Sequence, residues 1–209
     1  MNYRVFFERV HTVKSLEYFM KYAHHEDVVA VHWNGHGYAW ESEATANRIT
    51  ELILSADRLY LPQDDEVYLR ACLDKGTWRK QRLTPGDRRI IEDNLLQYEL
   101  IRSVFSQLDG KLLIFSACDI GKPRGLAEYV SRVSGAKAVI TYDGFVTDEE
   151  ANVVEVLLYY RLLSFETKKR TSGRIVAEVR DVMTTMLGHS VPIVCYENGL
   201  RTAGVQMGN

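Results

Sequence analysis

The chain is poor in the residues that staple, break or electrically bias a fold. Its three cysteines, Cys72, Cys118 and Cys195, are odd in number and widely spaced. That argues against a disulfide framework, and there is no CxxC pair and no zinc-ribbon spacing. Unpaired thiols point to a reducing compartment, and a cytoplasmic location is expected. Four prolines, no low-complexity tract and no internal repeat leave no evident linker. A net charge of -2 gives no whole-molecule field directed at nucleic acid or anionic lipid. No apolar run approaches the roughly 20 residues needed to cross a bilayer. The segment Met1 to Glu8 lacks a basic stretch followed by an apolar one, so neither a signal peptide nor a membrane role is expected.

What is present is enough hydrophobic residue, 46% of 209, for one sizeable core. Tyr3–Val10 reads as a strand, and Thr12 caps a helix carrying Leu16, Phe19, Met20 and Ala23. Val28–Val31 reads as a strand buried on both faces, and a helix from Glu43 to Ala56 is expected to turn Ile49, Leu52 and Ile53 inward. Residues 57–86, with Pro62, Gly76 and Pro85, are the least regular part. Thr84-Pro85-Gly86-Asp87 is a helix start, and Ile91, Leu95, Tyr98, Ile101, Phe105 and Leu108 give a long amphipathic helix ended by Asp109-Gly110. Strands follow at Leu112–Phe115, Ala138–Thr141 and Val191–Tyr196. The helices between them carry Leu126, Tyr129 and Val130, then run from Asp148 to Leu163 and from Gly173 to Leu187. Strands alternating with helices predict an α/β fold, a three-layer αβα sandwich around a mostly parallel sheet, in a single domain spanning 1–209.

Two segments carry chemistry. In an open α/β sheet, reactive groups belong just past the carboxyl ends of the strands. His36 stands there in Val31-His32-Trp33-Asn34-Gly35-His36-Gly37-Tyr38, between two glycines that let the backbone approach a ligand. Cys118 stands there in Phe115-Ser116-Ala117-Cys118-Asp119-Ile120-Gly121, among small residues that leave its sulfur accessible. Either alone is more often structural; past two strand ends at the same edge of one sheet they are a nucleophile and a base able to share a substrate.

These motifs, His-Gly after one strand and Ser-Ala-Cys-x-x-Gly after another, resemble the caspase, gingipain and separase superfamily, and most nearly its CHAT domains. The resemblance runs from about Val28 to Tyr196. It extends to Gly135-Ala136-Lys137-Ala138-Val139-Ile140, to Tyr142, Val146 and Asp148, and to Leu157–Leu163. It implies a caspase-like fold and a cysteine endopeptidase working through a thioacyl intermediate. Cys118 would be the nucleophile, His36 the acid–base partner, and the N–H groups of Gly37 and Cys118 the oxyanion hole. Against that family the stretch from His36 to Cys118 is long, so 57–86 reads as an insertion. Some members pair an acid with a basic P1 side chain. Asp143, Asp148 and Asp119 are the candidates for substrate binding, although Asp148 also suits a helix cap and Asp119 the next helix.

The partners implied are a protein or peptide substrate and an activating or regulatory protein. The competing reading is a catalytically silent interaction module in a larger assembly. No cofactor is expected, and no metal: His32, His36 and Cys118 lie across a strand-to-turn junction without a fourth ligand at zinc-site spacing. The basic run Lys75, Arg79, Lys80, Arg82, Arg88 and Arg89 around Trp78 reads as a solvated face, or as a processing loop, rather than a nucleic-acid site. Cys72 and Cys195 read as packing; His11, His24, His25 and His189 as surface polar residues.

Overall fold

The computed structural model describes residues 9–41, 48–163 and 170–203. It is a mixed α/β structure in which six helices accompany three sheets among those residues. The central sheet has the order β1 (Ala30–Asn34), β7 (Leu112–Ser116), β8 (Ala138–Tyr142), β9 (Ile193–Glu197) and β10 (Leu200–Ala203).

One face packs on α1 (Val13–Ala23), α3 (Pro85–Phe105) and α4 (Leu126–Val133). Leu16, Ile91, Ile101, Phe105 and Val130 there meet Val31, Leu113, Phe115 and Val139. The other face packs on α5 (Asp148–Leu163) and α6 (Ser172–Leu187). Val154, Leu158, Val176 and Met183 there meet Leu112, Ile114, Ile140 and Cys195. Odd and even residues of β7 thus serve different cores, as the two-residue period of a strand requires. Every β7 and β8 residue is buried.

The sheet is mixed rather than mostly parallel. β1–β7 and β7–β8 are parallel, β8–β9 and β9–β10 antiparallel. A single helix between two strands carries the chain back to start a parallel strand. The helix pair α5–α6 returns it to the end it left, so β9 runs against β8. β10, absent from the sequence reading, follows through a tight turn at Asn198-Gly199, both at positive φ (51° and 77°).

A second sheet, in the order β2 (His36–Glu41), β3 (Arg48–Ile53) and β4 (Arg58–Leu61), is wholly antiparallel. It overturns the helix expected over 43–56. Ile49, Leu52 and Ile53 fit helical spacing, but β-branched Ile49, Thr50 and Ile53 also suit a strand, and here β3 pairs on both sides. The first part of that expected helix, Glu43 to Asn47, lies outside the described residues.

The stretch 57–86 is more regular than expected. It holds β4, then α2 (Glu66–Lys75), whose cap is Asp65 and whose Leu69 and Cys72 are buried. A small hairpin follows, β5 (Thr77–Trp78) and β6 (Gln81–Arg82), turning on Arg79 and Lys80 at φ 50° and 66°.

β1 begins two residues later than Val28 and buries only Val31 fully, because it pairs on one edge alone among the described residues. Most of the expected Tyr3–Val10 strand, from Tyr3 to Glu8, lies outside the described residues. The α3 start is as read, with Thr84 and Asp87 capping each other's backbone, but the helix ends at Phe105, four residues before Asp109.

Candidate active site

β1 and β7 are adjacent and parallel, with Asn34 opposite Ser116. The ladder reaches one step further, since the Gly35 N–H donates to the Ser116 carbonyl at 3.1 Å. His36, which begins the strand β2 of the second sheet, and Cys118, in the loop after β7, each lie two residues beyond that last paired position.

The side-chain faces also agree. Cys118 packs with the core beneath α5 and α6, whereas Ala117 belongs to the opposite core. A Cβ on Gly37 would point at Ala117 and Ile120 of that opposite core. His36, one residue away on the same strand, is therefore directed to the Cys118 face, and it is exposed.

Two glycines fix this junction by space rather than by torsion. At Gly37 a Cβ would lie 2.4 Å from the Cys118 carbonyl oxygen and 2.6 Å from Ile120 Cγ2. At Gly121 it would lie 2.6 Å from Val194 Cγ2 and 2.8 Å from the Tyr142 oxygen. The spacing Cys-x-x-Gly is thus a packing requirement: the chain leaving Cys118 must slide under β8 and β9.

The turn between them is tight. The Ile120 N–H donates back to the Cys118 carbonyl at 2.8 Å, leaving Asp119 at φ 62°, a conformation unfavourable for a side-chain-bearing residue. Asp119 N–H donates to the Gly144 oxygen and Gly121 N–H to the Tyr142 oxygen. The Cys118 N–H takes no acceptor in this loop among the described residues. The Cys118 thiol is half-buried and lies 3.7 Å from the Val146 carbonyl oxygen, to which it donates.

The three acids read as substrate-binding are dispersed around this point. Asp119 pairs with Lys122 Nζ at 3.4 Å. Asp143 pairs with Arg201 of β10. Asp148 sits in the first turn of α5, but the cap is Thr147, which exchanges hydrogen bonds with Glu150 at 3.1 and 3.2 Å. The helix-cap reading of Asp148 is corrected by one residue.

One group of polar residues escapes the sequence reading. Glu155 of α5 is buried, with His32 Nε2 of β1 at 3.3 Å and the Tyr142 hydroxyl of β8 at 3.5 Å. The His32 ring lies 5.7 Å from that of Tyr159. Burial holds the His32 imidazole below its usual value, with Glu155 partly opposing. Burial pushes the Tyr142 phenol far up, reinforced by Glu155 and more weakly by Cys118. Tyr142 and Cys118 share the core beneath α5 and α6. The one signal of this polar group in the sequence is a lone acid inside Val153-Val154-Glu155-Val156-Leu157.

Cys72 and Cys195 are buried, and burial raises the Cys195 thiol to about 12, so neither is a ready nucleophile. His24, His11 and His189 engage Ser106, Ser55 and Glu150 respectively. No group of three or more His, Cys, Asp or Glu able to hold a metal occurs among the described residues. A cavity of about 600 Å³ beside α2, lined by Tyr68, Lys75, Arg79 and Lys80 among others, includes none of His36, Gly37 and Cys118. No helix among the described residues is long and apolar enough to cross a membrane. Comparisons with family models, curated proteins and solved structures return no match for this chain.

Proposed function

We propose that the protein is a cysteine endopeptidase of caspase-like fold, with Cys118 as nucleophile and His36 as acid–base partner. The observation that supports this reading is the register of β1 and β7, in which Asn34 and Ser116 end adjacent parallel strands two residues before His36 and Cys118 respectively. The resemblance of the His-Gly and Ser-Ala-Cys-x-x-Gly segments to CHAT domains supports it, as does an αβα layering around the sheet.

In this mechanism the Cys118 thiol turns from the Val146 carbonyl and passes its proton to His36. The thiolate adds to the scissile carbonyl, and the resulting oxyanion is met by the N–H groups of Cys118 and Gly37. His36 returns the proton to the leaving amine, the C–N bond breaks, and a thioester remains on Cys118. A water deprotonated by His36 then cleaves the thioester, releasing the acid and the free thiol. The substrate is a protein or peptide, and a protein partner controls access. Such a thiol requires reducing surroundings, and we place the protein in the cytoplasm. For a basic P1 residue, Asp143 would have to exchange Arg201 for the substrate.

The test is labelling with peptidyl electrophiles ending in Arg, Lys, Asp or Leu, mapped by mass spectrometry. Modification of Cys118 that disappears in His36→Ala is expected. Labelling indifferent to His36, or none with any probe, would replace this reading with that of a silent interaction module.

A further inference from the structure

The outer face of the small sheet carries a feature that the dyad does not use. His36, Tyr38 and Trp40 are exposed and alternate along β2 with buried Gly37 and half-buried Ala39, so they share one face. Leu52, Leu59 and Leu61 turn to the opposite face and join the core, and Thr50 Oγ1 accepts the Leu126 N–H there. Glu51 therefore lies on the face of His36. It stands directly opposite Tyr38 of β2 on one side and Tyr60 of β4 on the other. A carboxylate on an outward face would ordinarily be solvated, yet only 7% of Glu51 is exposed. Its charge partner is Arg58, 3.6 Å away and itself 68% exposed at the side chain.

A buried carboxylate with a tyrosine opposite it on each neighbouring strand is chemically suited to a cation: the charge meets the oxygens and an alkyl stem can lie along a ring. We propose that Glu51, with Tyr38 and Tyr60, is a subsite for a Lys or Arg side chain in the leaving-group half of an extended peptide substrate. Arg58 occupies it when substrate is absent. This rests on the dyad reading for its polarity. His36 delivers its proton to the leaving amine, so the half of the substrate after the scissile bond lies on the His36 side. β2 leads from His36 to Tyr38 in two residues, about 7 Å. Glu51 sits one cross-strand step beyond, about 5 Å. The two steps, at right angles, make roughly 9 Å, which places the basic side chain two or three residues after the cleaved bond.

The experiment uses the full chain with Cys118→Ala, so that binding is read without turnover. Two peptides are compared, identical except for lysine or norleucine at the second position after the scissile bond. The lysine peptide should bind about 10- to 100-fold more tightly, the range of a charge-assisted contact. Glu51→Gln should erase that preference, and Arg58→Gln should enlarge it by removing the competitor. Should Glu51→Gln melt early or lose its circular dichroism signal, exposed Tyr38→Leu supplies the second variant, with the preference reduced several-fold. A preference unchanged in Glu51→Gln of wild-type melting temperature, or unchanged in Tyr38→Leu, overturns the proposal. Glu51-dependent binding by a chain whose Cys118 form cuts nothing would uphold the subsite and retire the peptidase reading. Cleavage without any Glu51-dependent preference would do the reverse.

Discussion

Replacing Gly37 by alanine tests the junction between the two sheets at its narrowest point. The backbone there has no positive φ, so the whole effect is one of space. The new methyl would lie 2.4 Å from the Cys118 oxygen, 2.6 Å from Ile120 Cγ2 and 3.2 Å from Ala117 Cβ. The first of these is a backbone atom held by the Ile120 N–H, and Ile120 itself is fully buried, so neither gives way cheaply. Restoring ordinary contact moves β2 away from β7 by about 1 Å. Overpacking of this size costs about 1–3 kcal/mol. For a chain of this length that lowers Tm by roughly 2–4 °C per kcal/mol. The displacement carries His36 with it, and a 1 Å misplacement of a catalytic group costs about 100-fold in rate. The assay pairs a thermal melt with the rate of Cys118 labelling by a peptidyl electrophile. The reasoning predicts a modest fall in Tm with a disproportionate fall in labelling rate. A Gly37→Ala protein that melts lower yet labels at the wild-type rate would refute the link between this contact and the dyad.

Other outcomes follow from the same structure. The folded His32 imidazole lies below its unfolded value of about 6.5, so the unfolded chain takes the proton first as pH falls. Stability present above that pH is lost on acidification through the folded value. Denaturant titrations of His32→Asn should therefore show a shallower loss between pH 7 and 5 than wild type; equal slopes would remove His32 from the account. Gly86 lies in the first turn of α3 with nothing nearer a Cβ than Thr84 Oγ1 at 3.7 Å, so Gly86→Ala should raise stability by about 0.5–1 kcal/mol in a chemical melt. Thr84→Ala removes half of the reciprocal cap at the same helix end and should cost about 1 kcal/mol. In a thiol titration of the native protein Cys118 should react first, with buried Cys72 and Cys195 following only on unfolding.

How much of this is legible in the sequence depends on whether a signal is local. Thr84, Pro85 and Asp87 announce α3 because a capping box is made by neighbours in sequence, and α5 spans Asp148–Leu163, the bounds expected of it. β7 and β8 are uninterrupted apolar runs, readable because both faces are buried. β3 reads as a helix because Ile49, Leu52 and Ile53 fit the helical period, and what decides against it is pairing with β2 and β4, a nonlocal fact. The direction of β9 depends likewise on α5 and α6 forming a pair. For the site, His36 and Cys118 are recognisable by their places after strands, although the first of those strands starts two residues later than its apolar run suggests. The His32–Glu155–Tyr142 layer and the Glu51 face are not recognisable in the same way. Each needs three separated elements brought together, and neither carries a motif.

That His36 begins a strand of the small antiparallel sheet, while Cys118 follows a strand enclosed in the large one, gives the two halves different resistance to local opening. Amides of β7, hydrogen-bonded to β1 and β8 and buried throughout, should exchange with solvent only when the whole molecule unfolds. β2 pairs with β3 alone among the described residues, and its amides should exchange through a smaller opening of lower free energy. Under mild denaturant the proposed nucleophile would then outlast the proposed base, leaving a folded protein that keeps the Cys118 thiol after His36 has left its place.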